Sequence, residues 1–124
     1  MRFMMMVKSA ENKGAPPKGF MDVMAKLGEE AVKDGTMVVS GGLAATAAST
    51  RVRLSKGQIA AIDGPFTEAK EVVGGFAIFE LKSKEEAIES AKRFMELHKE
   101  HWPGWEGETE IREMFGPQGC APEA

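Results

Sequence analysis

At 124 residues the chain has room for one domain, and its 43% apolar and 28% charged residues are those of a folded protein rather than a disordered one. The net charge of −3, with lysines and arginines scattered along the chain, excludes a general binder of nucleic-acid backbone, which gathers excess cations on one face. A single cysteine, Cys120, cannot form an internal disulfide, so a reducing compartment and a cytoplasmic protein are expected.

The apolar residues 1–7 are too few to span a bilayer and no signal-peptide cleavage pattern follows, so no membrane attachment is expected. Residues 2–8 have the length and composition of a strand, and residues 9–14 those of a loop. Pro16 and Pro17 suit the first turn of a helix, where a missing N–H costs nothing. Phe20, Val23, Met24, Leu27 and Ala31 then recur at helical spacing, and Gly35 stands where a C-cap belongs. Gly28 lies inside this helix at a cost of about 1 kcal/mol relative to alanine, and packing against a strand accounts for it.

A second strand over 36–40 leads into Gly41-Gly42-Leu43, and the small residues 44–50 carry too little bulk to be core. Residues 51–54 and 58–62 flank Ser55-Lys56-Gly57 and read as a β-hairpin. Gly74-Gly75 opens a strand over 76–81. Ser83 and Glu86 have the spacing of a capping box, in which the hydroxyl serves the N3 amide and the carboxylate reaches back to the N-cap amide. Ala87, Ile88, Ala91, Phe94, Met95 and His98 share one face of the second helix, which Pro103-Gly104 stops. Residues 108–115 read as the last strand of a domain over 1–116, and 117–124 as a mobile tail.

The order β-α-β, hairpin, β-α-β predicts an α+β, ferredoxin-like βαββαβ sandwich with an extra hairpin. Both alternating faces are apolar in Phe3-Met4-Met5-Met6-Val7 and in Phe76-Ala77-Ile78-Phe79. Two helices cover one face of such a sheet, so a homodimer paired sheet to sheet as a dimeric α/β barrel is expected.

Between hairpin and strand, Asp63-Gly64-Pro65-Phe66 reads first as a turn whose Phe66 caps the core. Glu68, Lys70 and Glu71 then place three charges within four residues, which a turn alone does not require. His98 and His101 stand three apart on a helix, a spacing two metal ligands can share. No third ligand is visible and imidazoles in a last turn complement the helix dipole, so no metal and no cofactor are expected. Trp102 and Trp105 are read as anchors of the helix end.

The run Asp63-Gly64-Pro65-Phe66-Thr67-Glu68-Ala69-Lys70-Glu71, followed by Gly74-Gly75-Phe76, resembles the signature of the DGPF subgroup of YCII-related proteins. Arg2-Phe3-Met4, the Gly35 turn, the Gly42-Leu43 step and Arg51-Val52-Arg53 fall in the order that resemblance implies. It also implies the dimeric α/β barrel and an association with sigma factors or stress response. The paired His and Asp of a dehydrochlorinase-like relative have no counterpart, because the histidines here are His98 and His101. The function expected is thus a small-ligand-binding or regulatory module, with Phe66, Glu71, Gly42 and Leu43 at the ligand. The alternative is a cofactor-free lyase or isomerase acting on a small hydroxylated aromatic or carboxylic acid. In that reading Asp63 or Glu68 is the base and Lys70 stabilises the anion.

Overall fold

The apolar run near the start becomes β1 (Arg2–Ser9), which holds the sheet together by pairing along both of its edges. There follow α1 (Phe20–Lys33), β2 (Met37–Gly42), β3 (Thr50–Ser55), β4 (Gln58–Asp63), β5 (Val72–Glu80), α2 (Lys84–His101) and β6 (Glu108–Met114). The structure is a computed structural model that describes residues 1–11 and 14–116; Cys120 and the tail expected over 117–124 lie outside the described residues. A four-stranded antiparallel sheet has the order β2-β5-β1-β6, and β3 pairs with β4 in a two-stranded sheet of its own. Two helices and antiparallel sheets in this order make an α+β architecture compatible with the ferredoxin-like fold. Among the described residues no helix is long and apolar enough to cross a membrane.

Local chemistry sets the element ends, in places differently from the sequence expectation. Helix α1 begins after Pro16 and Pro17, not on them, because Gly19 at the N-cap takes φ 95, a left-handed value no helical residue adopts. At its other end Gly35 (φ 80) closes a Schellman motif: the amide of Gly35 donates to Val32 O and that of Thr36 to Ala31 O. A Cβ built on Gly28 meets nothing within 4 Å, so close packing does not explain that glycine. At α2 the Ser83 hydroxyl accepts from the Glu86 amide at 3.1 Å. The Glu86 carboxylate accepts from Lys82 N at 3.4 Å, one residue beyond the amide expected of a capping box.

Gly74 and Gly75 lie inside β5 instead of opening it. Val7 pairs with Gly75 and Lys8 with Val73, so Gly74 is the extra residue of a β-bulge.

Alternation along β1 decides which side chains meet the helices. Phe3 and Met5 are buried with Leu81, Ala87 and Ala91, and Phe79 and Ile111 pack against them. Beyond this core, the ends of α1 and α2 are joined by aromatic rings: Phe20, Phe94 and Trp105 surround His98 at 4.4–4.8 Å, and Trp102 lies 5.1 Å from Phe20. Trp102 and Trp105 do anchor the helix end. On the opposite sheet face Met4 is paired with Ile78 and Met6 with Phe76, and no described helix covers them.

Candidate functional site

The loop between β2 and β3 was expected to contribute no core, yet Thr46, in a short 3-10 turn (Thr46–Ala48), is buried and ties three segments together. Its amide donates to Glu11 Oε2 at 2.7 Å and its hydroxyl donates to the other oxygen of that carboxylate. The same hydroxyl oxygen accepts from the Phe66 amide at 3.2 Å. These bonds, the hydroxyl first and the amide second, hold the Glu11 carboxyl below its ordinary pKa. Gly64 closes on the same turn. Its amide donates to Ser49 O at 2.8 Å, and a Cβ built there would lie 1.7 Å from Thr46 O. Only glycine allows this approach of two backbones. The Asp63-Gly64-Pro65-Phe66 turn is thereby seated on 46–49, with Phe66 buried beneath it.

Above the turn lies an open cavity of about 440 Å³, lined by Leu43, Ala44, Val72 and Val73, by the Thr46 and Ser49 hydroxyl residues, by Phe66, and by Lys8, Arg51 and Glu71. The Arg51 guanidinium stacks 3.8 Å from the centre of the Phe66 ring and donates through Nη1 to Glu68. Glu68 is held below its ordinary pKa by its own backbone amide first and by Arg51 second. Lys8 donates to Glu110 Oε1 at 3.0 Å and lies 4.0 Å from Glu108. That hydrogen bond, and then the charge of Glu110, raise the Lys8 pKa, so its ammonium stays charged. A second cavity, of about 450 Å³ between α2 and β6, is lined by Ile88, Met95, Thr109 and Ile111 among others, and by none of the candidate site residues singled out from the sequence.

Of the four expected ligand contacts, Leu43, Phe66 and Glu71 line one cavity, and Gly42 precedes Leu43 outside that lining. Asp63, Glu68 and Lys70 are not brought together. Asp63 accepts from the Thr50 hydroxyl at 2.9 Å across the hairpin, Glu68 turns to Arg51, and the exposed Lys70 lies outside the cavity lining. Lys8, Thr46, Ser49 and Arg51 were not singled out as site residues by the sequence. They sit in a strand, a small-residue loop and a hairpin without local signal, and only chain folding gathers them. His98 is a core histidine: the Nδ1–H donates to Phe94 O at 2.9 Å, and burial pushes its pKa down. His101 is exposed, 3.7 Å from Glu100. Among the described residues no three His, Cys, Asp or Glu side chains gather into a metal-binding group.

The YCII-related domain model matches residues 1–102. The chain belongs to the YCII-related family. No curated protein matches it.

Proposed function

We propose that this YCII-related protein is a small-ligand-binding module with a regulatory role, acting as a cytoplasmic homodimer. The observation that carries the reading is the cavity beside the DGPF turn. Apolar walls from Leu43, Ala44, Val72 and Val73 meet a few convergent polar groups, Thr46, Ser49, Arg51, Lys8 and Glu71. That mixture is what small-molecule sites present. No observation favours the lyase reading, because its intended base and anion stabiliser are separately engaged or exposed. Homodimerisation is supported by the apolar sheet face of Met4, Met6, Phe76 and Ile78 and by the exposed Val52, Leu54 and Ile59 of the hairpin. A two-stranded hairpin is marginal in water unless something packs on it. The sigma-factor association implied by the DGPF motif gives such a dimer a partner to regulate.

A thermal-shift screen of small polar organic molecules tests the binding role. Ligands that stabilise the parent should fail to stabilise Leu43→Trp, whose indole fills the cavity from a half-exposed position. A screen in which every stabilising ligand acts equally on Leu43→Trp would remove this cavity as the site.

A further inference from the structure

Charges of both signs line the cavity, Lys8, Arg51 and Glu71, and other charged side chains engage two of them. At the hairpin end Arg51 and Arg53 alternate onto one face of β3, and Glu68 is the carboxylate bound there. Two cations against one anion leave a single positive charge. At the sheet end Lys8 is flanked by Glu110, Glu108 and Glu71, all of which act on its charge. With Arg112, 3.9 Å from Glu110, two cations face three anions and leave one negative charge. Among the described residues neither Arg53 nor Glu71 forms an ion pair, and Arg51 donates a side-chain hydrogen bond through Nη1 alone. Its stacking on Phe66 fixes the plane of the guanidinium, which leaves further donors along its edge. The same lining includes the apolar side chains of Leu43, Ala44, Val72 and Val73 beside the Thr46 and Ser49 hydroxyls.

A simple acid would satisfy one end and leave Glu71 with only Lys8, which Glu110 already engages. A simple amine would do the reverse. Resting on the ligand-binding reading above, we propose that the cavity takes a small zwitterion with an apolar spacer, an aminoalkanoate. Its carboxylate meets the Arg51 edge, its ammonium meets Glu71, and its methylenes lie on Leu43, Val72 and Val73. A sphere of the cavity's volume is roughly 9 Å across, which suits a chain of about six carbons.

The test is a titration followed by backbone amide NMR with four six-carbon probes: 6-aminohexanoate, hexanoate, hexylamine and hexanol. The amides of Leu43, Phe66 and Val73 report occupancy. 6-Aminohexanoate should bind about tenfold more tightly than either singly charged probe, the factor that one further partly exposed charge contact supplies. Glu71→Gln should reduce it to the level of hexanoate, and Glu71→Asp should retain most of the preference. Arg51→Gln should reduce it to the level of hexylamine; if that variant loses its native spectrum, the exposed Glu71 pair still decides. Hexanoate or hexylamine binding as well as 6-aminohexanoate overturns the zwitterion and leaves the ligand-binding reading standing. All four probes, hexanol included, leaving those amides unmoved at millimolar concentration would sink both.

Discussion

The two faces of β1 are built from nearly the same residues and have opposite fates. On one face Phe3 and Met5 are 2% and 5% exposed in the core with α2 residues; on the other Met4 and Met6 are only partly buried. The open face continues at Lys8 and Val73 into the cavity beside the DGPF turn. Hydrophobicity of the strand therefore does not say which face is core. The difference teaches that the two helices pack on one side of the sheet, so that the same apolar pattern is closed on one face and only partly covered on the other.

The sharpest way to break the comparison is to truncate one residue on each face. Phe3→Ala should cost about 3–5 kcal/mol in urea unfolding, as large-to-small changes in a closed core do. Met4→Ala, measured where the protein is monomeric, should cost less, about 1–2 kcal/mol, since its side chain is only partly buried. Equal losses would mean that the open face is covered in solution. Dilution should separate these cases, because only a dimer's contribution falls with protein concentration.

The Asp63-Gly64-Pro65-Phe66 turn is held closely against the loop at 46–49. Gly64→Ala drives a methyl into Thr46 O and should cost about 1–3 kcal/mol, because backbone rather than a flexible side chain must move. A melting curve identical to the parent's would show that turn and loop are not seated on one another.

The smallest effect belongs to the covered side and to pH. Burial lowers the pKa of His98 from its ordinary 6.5, so the unfolded chain takes up that proton more readily than the folded one. Its contribution is intact above pH 6.5 and declines as pH falls from there through the depressed folded value. His98→Phe should flatten the stability profile in that interval. The acid slope below about 4.5 should persist, because Glu11, Glu68 and Glu110, all with depressed pKa values, lose their stabilising contribution there. An unchanged slope between pH 6.5 and 5 would remove His98 as its source.

Much of this architecture is legible in the chain. The 3.6-residue stripe from Phe20 to Ala31, the Gly35 stop, the Ser83 cap and the run from Phe3 to Val7 each owe their form to interactions within a few residues. Backbone geometry alone enforces such signals. The boundaries that shifted did so for reasons of conformation or pairing: Gly19 needed a left-handed angle, and Gly74-Gly75 was absorbed by the bulge opposite Val7 and Lys8. The site was legible only in part. Leu43, Phe66 and Glu71 could be singled out, but the sequence alone did not single out Thr46, the hydroxyl that joins Glu11 to Phe66 across 35 and 20 residues of chain.

What the sequence by itself determined is the set of elements, their order, and the family to which the nine residues from Asp63 to Glu71 point. What only the tertiary structure decided is which charges are spent and which remain. Asp63 goes to Thr50 and Glu68 to Arg51, while Glu71 and Arg51 face the same cavity. The physical reason is range. Helical stripes, caps and turns are fixed by neighbours along the chain, whereas a cavity's polarity is a sum over groups that only folding brings within reach of one another.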